Sequence, residues 1–299
     1  MIFSVIIPVK EITNSFRSFI KHFEKQNFKD FEILVLSDID EKDKFPKTRI
    51  IKTGKVPPSR KRNIGALKSR GEILAFIDDD AFPANDWLKV ALKDFKDKSL
   101  SAIGGPSLVP PKATFFQRDS NKVYELSSKK TGSRYGLKKS EEIDDWPTCN
   151  FFVRKKDFES VEGFDSNFWG GEDTQLCYSL IKKNKKIIYD PLLKIFHHPR
   201  KNLVNHLKQS FFWGMWRGFF MKIHPKNSRQ LVFFIPFLFT FVIILGGIVS
   251  LFSRFILNSY LVIWAFYLIY LTSLGIRTKN IKLAVPVIFV TILTHFAYG

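Results

Sequence analysis

The sequence predicts an α/β domain with a mainly parallel, mixed sheet, followed by helices that meet and cross a membrane. Three observations predict it. Short apolar, β-rich runs alternate with helix-like stretches through the N-terminal two thirds of the chain. Acidic residues then stop at Asp190, and the 109 residues beyond it contain no Asp or Glu. Within that acid-free part lie three long apolar stretches.

The β-rich runs are Phe3–Val9, Phe31–Leu36, Arg49–Lys52, Ile73–Ile77 and Ser101–Ile103, and helical stretches lie near 14–26, 57–69 and 84–96. Strands alternating with helices argue for βαβ units and a mainly parallel sheet. Ligands of such sheets bind at the carboxyl ends of the strands, so the polar residues that follow each strand are the candidates for chemistry. Met1–Val9 is too short for the charged, apolar and cleavage regions of a secretory signal. The N-terminal domain is therefore expected to stay on the side where it is made. Two cysteines, Cys149 and Cys177, without CxxC spacing, give no disulfide framework or cysteine zinc site.

The chain of 299 residues carries 47 Lys+Arg against 28 Asp+Glu, a formal net charge of +19, and 32 Phe. A charge this positive fits nucleic acid or an anionic membrane surface. The acid-free C-terminal part favours the membrane, because a soluble surface mixes both signs. Leu231–Phe252 runs for 22 residues without a charge, enough to span ~30 Å of hydrocarbon at ~1.5 Å per residue. Tyr260–Ile276 and Ile281–Gly299 are shorter candidates, the last broken by Pro286. Arg277, Lys279 and Lys282 sit between the second and third stretches, and Arg254 alone between the first two. Positive residues favour the cytoplasm, which places the N-terminal domain and the 277–282 loop together on that side of a multi-pass cell-membrane protein.

Lys201–His224 sets Val204, Leu207, Phe211 and Met215, and also Phe212, Trp216, Phe219 and Ile223, at helical spacing, with Lys201, Lys208, Arg217 and Lys222 among them. Such a helix lies in the membrane interface or packs on the globular domain. Its position just before the apolar stretches favours the interface. The expected organisation is a domain over 1–200, an amphipathic interfacial region over 201–228 and two to three transmembrane helices over 229–299.

Each polar cluster after a strand reads in two ways. Asp78-Asp79-Asp80 follow Ile73–Ile77, and three adjacent carboxylates repel unless a hard cation such as Mg²⁺ or Mn²⁺ relieves them. A solvated acidic turn is the plainer alternative. Ser37-Asp38 follow Phe31–Leu36 and offer a carboxylate to a base N–H or ribose hydroxyl, or simply start a turn. Pro57–Gly65 (PPSRKRNIG) opens a helix with cations and backbone N–H groups suited to phosphate, or is an exposed basic helix. In Trp169-Gly170-Gly171-Glu172-Asp173 a carboxylate suits a general base, and acids in a first helical turn also suit the helix dipole. Ile195–Arg200 (IFHHPR) offers His197 or His198 as a neutral imidazole ligand, or as polar surface.

Six segments in this order resemble the family 2 glycosyltransferases of the A-type glycosyltransferase fold: SVIIPV at Ser4, FEILVLSD at Phe31, RNIGALKSRGEILAFIDDD at Arg62, TCNFFVRKKDFESVEGFD at Thr148, GGEDTQL at Gly170 and FHHPR at Phe196. The resemblance covers about the first two thirds of the chain. It implies that Pro8, Val9, Lys10 and Asp38 line a nucleotide base and ribose pocket, with Arg62 and Asn63 near the donor. Asp78 and Asp79 fall in a DxD-like motif whose Asp80 is the main metal ligand, with Asp78 on ribose or metal. Asp173 is the implied catalytic base with Glu172 beside it, and His197, or His198 in its place, helps hold metal and diphosphate. The implied cofactor is Mg²⁺ or Mn²⁺. The implied partners are a UDP-, GDP- or dTDP-sugar, a glycan or lipid-linked acceptor and membrane lipid, not nucleic acid.

The implied reaction is inverting transfer of one sugar to a hydroxyl in glycan or polysaccharide biosynthesis of the cell envelope. Two departures bear on it. Ser37 stands where the family often has a first Asp, and Gln209 is followed by SFFWGMWRG rather than the QxxRW spacing of processive synthases. Single transfer is therefore expected over processive synthesis, and over a non-catalytic basic membrane module, which leaves the Asp triplet without a use. The final THFAYG resembles the start of a longer membrane motif, so the chain is expected to continue past Gly299.

Overall fold

The computed structural model describes residues 1–127, 139–167, 170–223 and 231–299. The chain divides into two compact units, one of Met1–Pro110 with Leu137–His198, the other of Pro111–Gly136 with Pro199–Gly299. The first contains β1 (Phe3–Pro8), α1 (Asn14–Ile20), β2 (Phe31–Ser37), β3 (Thr48–Lys52), α2 (Pro58–Lys68), β4 (Ile73–Ile77), β5 (Ala81–Pro83), α3 (Trp87–Asp94), β6 (Leu100–Gly104), β7 (Ser107–Leu108), β8 (Glu141–Glu142), β9 (Asn150–Arg154), α5 (Lys155–Ser160), α6 (Glu172–Lys182), β10 (Lys186–Tyr189) and β11 (Ile195–His197). The second contains α4 (Phe115–Ser127), α7 (Leu203–Ile223), α8 (Leu231–Val249), α9 (Arg254–Arg277) and α10 (Ile281–Tyr298).

Eight strands form one sheet in the order β3-β2-β1-β4-β9-β6-β10-β8, and β5-β11-β7 form a small second sheet. The pairs β2/β3, β1/β2, β1/β4 and β6/β10 are parallel, as the alternation of strands and helices predicts. β9 runs antiparallel between β4 and β6. All of β2 is buried, as a strand covered on both faces must be. Phe3, Val5, Ile7, Ile33 and Val35 join Phe16, Trp87 and Leu88 on one face. Ile6, Leu34, Leu36, Leu74 and Phe76 join Ala66, Phe158, Leu176 and Leu180 on the other. This two-sided cover holds the strand ends that carry the polar clusters.

Two buried polar contacts lock the sheet's middle. Ser4 Oγ donates to Glu32 Oε1 at 2.8 Å and accepts from the Gly71 N–H at 2.8 Å. Gly71 has no room for a side chain, because a Cβ there would lie 2.6 Å from Phe3 C and Ser4 N, both backbone.

In the second unit, α10 packs against α4, α7, α8 and α9, burying Ala284, Val287, Val290, Thr291 and Thr294. The stretch 111–136, which lies inside the expected 1–200 domain, groups with these helices, and Val123 and Leu126 of α4 meet Leu274, Val287 and Val290. Three helices, Phe233–Phe252, Arg254–Arg277 and Ile281–Tyr298, are long and apolar enough to cross a membrane. The second starts earlier than the expected Tyr260, since Arg254 and Asn258 are absorbed into its first turns. On α7 the buried residues are His206, Ser210 and Phe220. Val204, Phe211, Phe212, Met215, Phe219 and Ile223 stay exposed, so most of the expected apolar positions face outward. The remainder of the expected interfacial region, 224–228, lies outside the described residues.

Gly71→Ala is expected to destabilise the sheet by about 1–3 kcal/mol, because backbone cannot yield to the added methyl. Thermal unfolding in detergent checks this, with a clear fall in the midpoint as the outcome.

Candidate functional site

The ends of β1, β2 and β4 deliver their polar residues to one edge of the main sheet. At β1 the Val9 N–H donates to Leu36 O at 2.9 Å, and Lys10 O accepts the Asp38 N–H at 3.0 Å. Pro8, Val9, Lys10 and Asp38 are thus brought together. Ser37 is fully buried, and its hydroxyl lies 3.3 Å from both Lys10 O and Glu41 Oε1. A carboxylate at this position would face a carbonyl and a second acid, which accounts for Ser in place of Asp.

Helix α2 supplies two adjacent cations, Lys61 and Arg62, 3% and 4% exposed. Lys61 Nζ bonds Val9 O and pairs with Asp38 Oδ1. Arg62 NH2 lies 2.9 Å from Asp78 Oδ1, and its NH1 lies 3.0 Å from Glu172 Oε1. Burial by itself would lower the guanidinium pKa. The Asp78 and Glu172 carboxylates, with Asp173 farther off, outweigh that and hold it above the ordinary arginine value. One side chain therefore joins the motif after β4 to the motif that starts α6. Asn63 takes a different part: its Nδ2 donates to Phe164 O at 2.7 Å and its Oδ1 accepts the Phe164 N–H at 2.9 Å. It fixes the Gly163-Phe164 turn that leads towards α6.

The Asp triplet fans out. Asp78 faces Arg62 and Asp80 faces β11, where His197 Nε2 lies 3.0 Å from Asp80 Oδ1. Ligand atoms of Asp78, Asp80 and His197 all lie within 4.8 Å of one another. Two carboxylates and one imidazole are a donor set that suits a hard divalent cation such as Mg²⁺ or Mn²⁺. His197, not His198, enters this group: His198 stacks on Phe19 with ring centroids 5.9 Å apart. His197 is the last residue of β11, and His198 lies just beyond the strand. Phe196, on the His198 side, stacks on Phe82 at 5.2 Å, anchoring the short strand. Asp79 is pushed up to about 6 by burial first, then by Asp80 and Asp78, with Lys61 opposing.

On the far side of Arg62, Gly171 caps α6 with φ +75, a left-handed conformation natural to glycine. Glu172 and Asp173 form its first turn, and the Thr174 N–H donates to Asp173 Oδ1 at 2.9 Å. Trp169 lies outside the described residues.

Two residues of this site lie within motifs of the sequence without being singled out there as site residues. Lys61 passed as one cation of a basic helix. Asn150, fully buried, pairs with Ile77 just before the triplet. Its Nδ2 donates to Leu193 O at 2.7 Å and Pro106 O at 3.2 Å, while its Oδ1 accepts from Trp87 Nε1 at 2.9 Å. It ties the end of β4 to the segments before β7 and β11. A polar residue inside an apolar run, TCNFFV, was the available clue.

Comparison with known proteins places this geometry in context. Residues 4–161 match the family model described as glycosyl transferase family 2. The pre-mycofactocin glycosyltransferase of Mycobacterium tuberculosis aligns at 24% identity over 180 residues, 58% of this chain and 37% of that protein. The chain thus matches little more than a third of that relative's length. The dolichyl N-acetyl-alpha-D-glucosaminyl phosphate 3-beta-D-2,3-diacetamido-2,3-dideoxy-beta-D-glucuronosyltransferase of Methanococcus voltae aligns at 22% over 260 residues, 81% of this chain and 79% of that protein. Among solved structures, the mannosyltransferase PcManGT from Pyrobaculum calidifontis, in complex with GDP-Man and Mn²⁺, superposes with a TM-score of 0.66 at 12% identity, covering 97% of this chain and 86% of that one. This last likeness shows the A-type fold.

The raised Asp79 pKa gives a signed pH dependence for the metal-free protein. Its folded-state value of about 6 stands above the ordinary carboxylate value of 3.8, so stability is full below the lower value and is lost as pH rises through the upper one. Asp79→Asn removes this loss. The variant is expected to match the parent near pH 4 and exceed it near pH 7.5 by on the order of 1–2 kcal/mol, partial exposure included. Thermal unfolding with EDTA at the two pH values is the check.

Proposed function

The chain belongs to glycosyl transferase family 2, and from that premise we propose that it transfers a single sugar from a UDP-, GDP- or dTDP-sugar to a hydroxyl acceptor, inverting the anomeric carbon, in glycan or polysaccharide assembly at a cell membrane. The observation that carries this reading is Arg62, which bonds Asp78 on one side and Glu172 on the other. It brings the strand-end carboxylates and the α6 carboxylates to one place, as a reaction between a held diphosphate and an activated hydroxyl requires.

Asp173 is the proposed general base. It takes the proton from the acceptor hydroxyl as that oxygen attacks the anomeric carbon from the face opposite the nucleotide. The new C–O bond forms as the bond to the diphosphate breaks, and the bonding pair leaves with the diphosphate oxygen. Asp80, Asp78 and His197 would hold a divalent cation, which neutralises charge on the departing diphosphate when bound. Glu172, paired with Arg62, orients the start of α6 and so the adjacent Asp173. Asp38, with the backbone of Pro8, Val9 and Lys10, receives the nucleoside.

The acceptor is proposed to be lipid-linked. Exposed Phe211, Phe212, Trp213, Met215 and Phe219 on α7, among Lys208, Arg217 and Lys222, suit the headgroup layer of an anionic leaflet. Three crossings with Arg277, Lys279 and Lys282 on the cytoplasmic side put the catalytic unit there as well. The carboxylate cluster favours this transferase over a non-catalytic basic module, since its acids repel phosphate unless a cation intervenes.

Removal of a general base is expected to lower turnover by about 10²–10⁴. Released nucleotide is measured for purified protein with a panel of nucleotide-sugars, Mn²⁺ and native lipid extract. Asp173→Asn is expected to keep donor affinity within a few-fold while losing turnover, and EDTA is expected to abolish it. Undiminished turnover in Asp173→Asn would remove that residue as the base, and undiminished turnover in EDTA would remove the metal.

A further inference from the structure

We propose that Lys61 is a specificity-determining residue that, by pinning one oxygen of Asp38, tunes the donor site to a uracil or thymine base and against guanine. This rests on the glycosyl-transfer reading above and deepens it by naming the nucleoside class.

The argument starts from burial. The Lys61 side chain is 4% exposed and that of Asp38 is 15% exposed. A lysine is almost never sealed from water unless its charge is paired. Here the ammonium, which has three donors and no acceptor, is bonded to the Val9 carbonyl at the exit of β1 and paired with Asp38 Oδ1 at the exit of β2. Asp38 Oδ1 is itself sealed from solvent. The Asp38 main chain is fixed by its N–H on Lys10 O at 3.0 Å, and the neighbouring Ser37 hydroxyl reaches the same carbonyl at 3.3 Å. The buried Oδ1 is taken up by the ammonium, so in this proposal the oxygen that meets a ligand is Oδ2.

That matters for base recognition. Guanine presents two parallel donors, N1–H and the N2 amino group, which fit both oxygens of a free carboxylate in a bidentate pair. With Oδ1 held by an ammonium, this pair is unavailable and the guanine amino group faces a positive charge. Uracil and thymine present a single N3–H flanked by carbonyl oxygens. One acceptor, Oδ2, satisfies the N–H, and the cation behind Oδ1 favours the adjacent carbonyl. Specificity then comes from a repulsive element as well as an attractive one.

The same ammonium also acts through space on the Asp triplet, opposing the rise of the Asp79 pKa. Lys61 thus serves the nucleoside end of the donor site while Arg62, the next residue, serves the diphosphate end. The two consecutive cations divide three carboxylates between them, Asp38 for Lys61 and Asp78 and Glu172 for Arg62.

The test is calorimetric binding of UDP, dTDP and GDP to the purified full chain in Mn²⁺, with unfolding midpoints for every variant. The parent is expected to bind UDP or dTDP at least about 10-fold more tightly than GDP, the size of one net hydrogen bond. Lys61→Met is expected to weaken UDP binding about 10-fold or more and to narrow the UDP-to-GDP ratio. Asp38→Asn, which keeps the shape of the side chain, is expected to weaken UDP similarly. The double variant is expected to be no weaker than the worse single one, because both act through one contact. A parent that prefers GDP, a Lys61→Met variant that loses stability but keeps the parent's base ratio, or strictly additive losses would each overturn the proposal. If none of the diphosphates binds, the transferase reading itself falls along with this one, whereas binding without base preference overturns only the role given to Lys61.

Discussion

The site depends on a guanidinium that water does not reach. Arg62 is buried, and moving such a charge out of water costs several kcal/mol unless partners compensate. Its partners are Asp78 and Glu172, separated by nearly a hundred positions in sequence. Neither carboxylate motif is placed well without the other: the end of β4 and the start of α6 are each held by the same cation. The arrangement also disperses a triplet of acids that would otherwise repel. Asp78 turns to Arg62, Asp80 turns to His197, and Asp79 remains between them with its pKa raised. The surplus of negative charge that persists suits a cation, which is the basis of the proposed metal and diphosphate site.

The supporting sheet explains why this charge can be held at all. β1, β2 and β4 are buried on both faces, so their ends cannot shift without opening a core. Asn150 adds a polar tie at the same level. It saturates its amide inside the core, where an unpaired amide would cost about 1–3 kcal/mol. Electrostatics therefore sets the chemistry of the site, and packing sets its geometry.

Much of this was legible in the sequence, for identifiable reasons. The strands at Phe3, Phe31 and Ile73 are mostly apolar, β-rich runs followed by charged residues, and the structure places them within a residue of where the pattern does. The membrane-length helices are legible because a stretch such as Leu231–Phe252 has no polar face. Helix α2 was legible as a basic helix start suited to phosphate, but the burial of its cations was not, because it inverts the usual rule: Lys61 and Arg62 are buried while Leu67 is 80% exposed. No periodicity distinguishes that from a solvated basic helix, since the partners that justify burial come from distant motifs. The choice between His197 and His198 likewise needs the fold, which sets His197 beside Asp80 and stacks His198 on Phe19. The grouping of 111–136 with the C-terminal helices is also silent in sequence. Its helix α4 is amphipathic, and amphipathicity does not say which unit the apolar face will join.

The central claim is that Asp78, Asp80 and His197 form one cation site, organised through Arg62. Electron paramagnetic resonance of Mn²⁺ added to the purified protein tests it most directly, with the coupling of the ion to nitrogen as the signal. The account predicts about one tightly held Mn²⁺ with an imidazole nitrogen in its coordination sphere. That coupling should be lost in His197→Gln and kept in His198→Gln, with affinity falling in Asp80→Asn. Retained nitrogen coupling in His197→Gln, or no bound Mn²⁺ even with a nucleoside diphosphate present, would contradict it.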